Sequence, residues 1–175
     1  TPIPIYIFGN TIFAARSTSA FFGVLTVIVT YLIVDILSKK KYQKNLALLS
    51  SFVVAISPWA IHFSRRVVEG NLGLFFFLLA LYFLLKSLNK IKYFIPACLF
   101  LGISTHAYYS ERLISVVFLP FFLVYFKNYY LKYKKMVVYG FIVFGLTLMP
   151  HMITVFTGAF AARFDQVGSS GGTSF

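Results

Sequence analysis

The stretch Leu72-Gly73-Leu74-Phe75-Phe76-Phe77-Leu78-Leu79-Ala80-Leu81-Tyr82-Phe83-Leu84-Leu85-Lys86-Ser87-Leu88 decides the fold. A strand with one wet face alternates apolar and polar residues, and residues 74–81 do not alternate at all. An open sheet edge cannot face lipid, whereas a helix satisfies its own backbone. The run therefore reads as a helix in an apolar surround. Five more apolar segments flank it, at about residues 20–37, 46–63, 93–109, 113–126 and 136–156. Several fall short of the ~20 residues that cross a bilayer core upright. The segment 113–126 has only 14 residues, about 21 Å of helix at ~1.5 Å per residue. It must thin the bilayer, borrow flanking tyrosines or pack against neighbours.

Composition agrees with that reading. Of the 175 residues, 59% are hydrophobic, 20% aromatic and only 11% charged; an average soluble domain carries about 25% charge. A soluble globule of this size lacks the interior to hide so much apolar surface. Disorder, a nucleic-acid-binding arm and a disulfide scaffold are excluded; the one cysteine, Cys98, sits in an apolar run. The expected fold is all-α: a polytopic membrane protein with about six transmembrane helices and short loops. It forms a single transmembrane domain over residues 1–175. Residues 1–19 are the end of an external loop, 20–156 the six spans, and 157–175 an external loop or tail rich in Gly and Ser.

The net charge of +12 is sorted by side. All 11 lysines fall in three loops: Lys39, Lys40, Lys41 and Lys44; Lys86, Lys90 and Lys92; Lys127, Lys132, Lys134 and Lys135. The five arginines, Arg16, Arg65, Arg66, Arg112 and Arg163, fall at the alternate ends. Lysine-rich loops mark the cytoplasmic face, so the first span runs inward and the arginine-bearing loops lie outside. The expected location is the cell (plasma or inner) membrane, as a multi-pass protein. The lysines set topology and contact anionic lipid, and call for no nucleic acid. Asp35, four residues before Lys39, is expected to form an ordinary ion pair with it.

The outer face collects the groups able to do chemistry. Glu69, Glu111, Asp165, His62, His106 and His151 all lie there. One constellation runs from Ser57-Pro58-Trp59 through His62, Arg65 and Arg66 to Glu69. If helix continues past Pro58, these charged and imidazole side chains share one face. Arginine presents a planar fork that fits phosphate oxygens. Glu69 can orient an arginine, bind a sugar hydroxyl or help hold a divalent cation; the cofactor is otherwise unknown, and no metal site is assigned. A second constellation, His106 through Tyr108, Tyr109, Glu111 and Arg112, can stack on a sugar ring and hydrogen-bond it. Its plain reading is an aromatic belt with a capping ion pair, and His106 at a span end is by itself a structural histidine. A third, weaker one is Arg163 to Val167. No phosphate loop, Gly-x-Gly-x-x-Gly, His-Glu-x-x-His, Cys-x-x-Cys or Gly-x-Ser-x-Gly pattern occurs.

The order of four stretches resembles the membrane-embedded GT-C glycosyltransferases, in the protein-mannosyltransferase-like and lipid-A-aminoarabinose-transferase-like branch. The stretches are Gly9-x-x-x-Phe13-Ala14-Ala15-Arg16 continuing through Ser19 to Thr26; Ser57-Pro58-Trp59 through His62-Phe63-Ser64-Arg65 to Glu69-Gly70-Asn71; Leu101-Gly102 through Tyr108-Tyr109 to Arg112-Leu113; and Arg163 to Val167. The resemblance implies transfer of a sugar from a polyprenyl-phosphate carrier to a lipid, glycan or protein acceptor on the non-cytoplasmic face. Arg65 and Arg112 are then the first candidates for the donor phosphate, with Arg66 and Arg163 next. Glu69 organises the site, and His62, Tyr108, Tyr109 and Glu111 contact the sugar. The family's catalytic acid lies in the first external loop, yet no acidic residue precedes Asp35 here. The chain is therefore expected to be an internal piece, about the second to seventh spans, inactive alone, with its catalytic residue upstream of Thr1. A lipid flippase or transporter would instead place ionisable groups in mid-span. A non-catalytic membrane scaffold would need no such concentration on one face.

Overall fold

The computed structural model describes residues 11–38, 42–65, 70–107 and 109–156. All regular structure among them is helical. The order is α1 (Ile12–Leu37), α2 (Gln43–Ile56), α3 (Pro58–Arg65), α4 (Gly70–Ser87), α5 (Phe94–Ala107), α6 (Tyr109–Tyr125), α7 (Lys127–Tyr130) and α8 (Lys134–Phe156). Single 3-10 turns, Ile91–Tyr93 and Leu131–Tyr133, lead into α5 and α8.

Three segments are long and apolar enough to cross a membrane: Arg16–Leu37, Gly70–Ser87 and Lys127–Ile153. Gln43–Ile56 and Ile91–Ala107 are apolar but shorter. Each apolar segment of the sequence thus contains helix among the described residues, but six full spans are not demonstrated. Only 11% to 33% of the residues in the three long segments are buried. Large apolar side chains such as Phe21, Val117, Phe121 and Leu146 stand exposed, as lipid-facing residues do.

The expected second span, 46–63, is broken at Ser57. Pro58 has no N–H and forces its predecessor into extended backbone; Ser57 lies at φ −59°, ψ 124°. The Ser57 carbonyl accepts from the Ile61 N–H at 3.0 Å, so α3 starts afresh with Pro58 at its first position.

Helix α5 is the centre of the packing. It lies against α4, α6 and α8, while α1 packs on α4 and on α2 and α3. Its buried residues Phe94, Ala97, Cys98, Leu101, Ser104 and Thr105 recur at three and four. Gly102 and Gly140 bring α5 and α8 close. A Cβ on Gly102 would lie 2.6 Å from Thr147 Cβ, and one on Gly140 would lie 2.6 Å from Phe94 Cδ1 and nearer still to its Cε1. Hydroxyls join the helices where no hydrophobic drive exists in lipid. Ser104 Oγ donates to the Leu101 carbonyl at 2.7 Å, so Ser115 is the donor in their 3.1 Å contact.

Candidate functional site at the arginine-bearing end

The middle of α1, the α2–α3 break and the first turns of α4 and α6 surround a pocket of ≈ 300 Å³. Its wall includes Thr26 of α1, Ser57 and Trp59 at the α2–α3 break, Phe63 of α3, Asn71 of α4 and Glu111 of α6. The break at Ser57 lets Trp59 come back against the middle of α1, near Gly23 and Thr26. Trp59 and Phe63, one helical turn apart, hold their ring centroids 5.0 Å apart. Trp59 remains 73% exposed, as an indole at a membrane interface is.

Asn71 ties three helices together beneath this pocket. Its buried Nδ2 donates to the Ser19 carbonyl and to Ser19 Oγ, both at 3.3 Å. Ser19 Oγ in turn donates to the Phe63 carbonyl at 3.1 Å. This chain fixes α1, α3 and α4 relative to one another. A second apolar groove, lined by Ala20, Val24 and Ile28 of α1 and Ala55 and Ile61 across from them, adjoins the pocket. The two share Gly23, Val54 and Ala60.

Glu111 sits in the first turn of α6, ahead of the apolar run that begins at Leu113. It is buried and lines the pocket. Burial pushes its pKa up, because removing a carboxylate from water penalises the charged form. Glu111 and Arg112 do not form the expected capping pair. Neighbours in sequence lie on different helix faces, and Arg112 Nε donates to the Thr105 carbonyl at 3.2 Å instead.

On that side of α6 lies a cluster that the sequence reading only partly resolved. His106 of α5 and His151 of α8 stack with ring centroids 4.1 Å apart. Thr105 Oγ1 gives its proton to the Gly102 carbonyl at 2.7 Å. Its 3.3 Å contact with His151 Nε2 therefore needs the proton on that nitrogen. His106 Nε2 donates to the Thr147 carbonyl at 2.6 Å. Pro150, one residue before His151, leaves the Leu146 carbonyl without its helical donor. His106 is hydrogen-bonded as a structural histidine should be, but its stacking partner comes from 45 residues later. The signal was the shared end of the helices; spacing could not supply the pairing.

The other expected residues fare as follows. His62 is exposed and does not line the pocket. Arg65 closes α3, and Tyr109 opens α6. Arg66, Glu69, Tyr108 and Arg163 lie outside the described residues, as does Lys39, the expected partner of Asp35. The predicted shared face of His62, Arg65, Arg66 and Glu69 therefore lies partly outside them too. Trp59 and Asn71, which stand in the sequence motifs but are not among the expected site residues, line the pocket. Among the described residues, no three His, Cys, Asp or Glu side chains converge as a metal site would require.

The family model for dolichyl-phosphate-mannose-protein mannosyltransferases matches residues 3–153. The chain belongs to this family. It is a GT-C membrane glycosyltransferase family, so the resemblance read from the sequence holds. A multi-pass membrane protein fits both the family and the three long apolar segments. No curated protein and no solved structure matches the chain significantly.

Proposed function

We propose that this mannosyltransferase-family chain is the membrane part of an enzyme that moves a sugar from a polyprenyl-phosphate carrier to an acceptor on the non-cytoplasmic face. The family name points to mannose on dolichyl phosphate as donor and to a protein as acceptor. The observation that carries the reading is the ≈ 300 Å³ pocket with its adjoining apolar groove. Its size is at the lower end for small-ligand sites, and its few polar groups sit in an apolar wall. An indole can cover the apolar face of a sugar ring. Glu111 and Asn71 can hydrogen-bond its hydroxyls. The polyprenyl chain then runs along the groove between α1 and the α2–α3 segment, open to lipid.

In the reaction, the acceptor hydroxyl attacks the anomeric carbon and the bond from that carbon to the phosphate oxygen breaks. The hydroxyl proton passes to a base, and polyprenyl phosphate leaves. Arginines stabilise the negative charge of the leaving phosphate. Arg65, which closes α3, and Arg112, in the first turn of α6, are the candidates, with Arg66 and Arg163 next. The described ionisable groups concentrate at helix ends, which favours interfacial chemistry over a transport path.

The test is transfer from a synthetic polyprenyl-phosphate sugar by the protein expressed from its full gene. A hydrogen bond to a charged group contributes ~1.5–3 kcal/mol, so Arg112→Gln should lower kcat/KM by roughly 10- to 150-fold. Unchanged transfer by a well-expressed Arg112→Gln protein would reject the assignment.

A further inference from the structure

A second pocket lies at the opposite end of the bundle, among the lysines. Its volume is ≈ 360 Å³, and it is bounded by Leu123 of α6, Lys127 and Tyr130 of α7, Leu131 of the 3-10 turn that follows, and Lys134, Val137 and Val138 of α8. Helix α7 is held in place by two tyrosines. Tyr129 Oη donates to the Ser87 carbonyl at 2.8 Å. Ser87 Oγ gives its proton to the Leu84 carbonyl at 2.6 Å, so Tyr130 Oη is the donor in its 2.6 Å contact with Ser87. The buried Tyr130 ring packs on Phe94 at 5.2 Å. The pocket is thus pre-formed, with Tyr130 as part of its wall.

The chemistry of the pocket is two-sided. Apart from Tyr130 and the two lysines its lining is aliphatic; Lys127 and Lys134 are exposed, as are Lys132 and Lys135 close by in sequence. Residues 123–138 contain no Asp or Glu to neutralise these four lysines. A small free anion would satisfy the ammonium groups and leave the aliphatic wall empty. A neutral lipid would do the reverse. A molecule with an anionic head and a hydrocarbon tail satisfies both, and lysine-rich loops face the leaflet that carries such molecules.

We propose that this pocket binds one anionic phospholipid, its acyl chain against Leu123, Leu131 and Val137 and its phosphate between Lys127 and Lys134. The proposal is independent of the glycosyl-transfer site at the other end. It differs from general attraction to an anionic surface by depending on two particular lysines and on the pocket volume.

The experiment is native mass spectrometry of the protein expressed from its full gene and released from nanodiscs. The nanodiscs contain phosphatidylcholine with phosphatidylglycerol. The protein should retain one phosphatidylglycerol in preference to phosphatidylcholine. A lysine near an anionic surface contributes roughly fivefold, so Lys127→Gln/Lys134→Gln should reduce retention about 25-fold. Lys44→Gln/Lys92→Gln removes equal charge outside the pocket and should leave retention unchanged. Val138→Trp, at an exposed position on the pocket wall, keeps every charge, fills the volume and should also abolish retention. Equal retention of the two lipids would overturn the proposal. So would equal loss in both lysine pairs, which indicates surface attraction alone, or full retention by Val138→Trp.

Discussion

Gly102 offers the sharpest test of how the bundle is assembled. A methyl group there would sit 2.6 Å from Thr147 Cβ and nearer still to its hydroxyl. Carbon atoms rest at about 3.5–4.0 Å, so α5 and α8 must part by about 1 Å. A rotamer change at Thr147 moves its hydroxyl but not its Cβ. Overpacking of this kind costs ~1–3 kcal/mol. The parting also lengthens the 2.6 Å bond from His106 Nε2 to the Thr147 carbonyl, losing ~1 kcal/mol. Alanine returns ~1 kcal/mol of helix propensity. Gly102→Ala should therefore destabilise by ~1–3 kcal/mol, a fall in Tm of about 2–12 °C for a chain of this size. Gly145, on α8, has open space where its Cβ would be, so Gly145→Ala should stabilise by up to ~1 kcal/mol. The assay is thermal unfolding of both variants in one detergent. A Gly102→Ala protein as stable as Gly145→Ala would refute the close α5–α8 approach.

Further outcomes follow from the site itself. Burial raises the Glu111 pKa in the folded protein, so the folded state binds the proton more tightly than the unfolded one. Stability then falls as pH rises from the ordinary carboxylate range through the raised value. Glu111→Gln should be more stable than the parent above that window and lose its advantage below it; a pH-independent difference would contradict the burial. Asn71→Ala removes two buried hydrogen bonds to Ser19 and should cost ~1–3 kcal/mol in denaturation. Asn71→Ala at parental stability would show that this chain does not hold α1 to α4.

The sequence made the helical class plain because eight-residue apolar runs such as 74–81 admit no strand reading. Of the residues that the sequence offered as site candidates, Glu111 lines the pocket, whereas Trp59 and Asn71 join it only through the fold. The break at Ser57 was within reach, since Pro58 was seen, but hydropathy carries a span straight across it. Glu111 and Arg112 were read as a pair because they adjoin in sequence, whereas a helix turns adjacent residues to different sides. The His106–His151 stack was out of reach. It depends on α5 and α8 meeting at Gly102 and Thr147, and no periodicity within either helix encodes that meeting.

The central claim is that the pocket bounded by Trp59, Asn71 and Glu111 receives the sugar head of a polyprenyl-phosphate donor. The direct measurement uses a donor whose sugar carries a photoactivatable diazirine, irradiated with membranes containing the protein expressed from its full gene. Peptide mapping should find the label on segments containing Trp59 or Glu111, and unlabelled donor should compete it away. Label confined to other segments, or label on this pocket that excess donor leaves unchanged, would contradict the account.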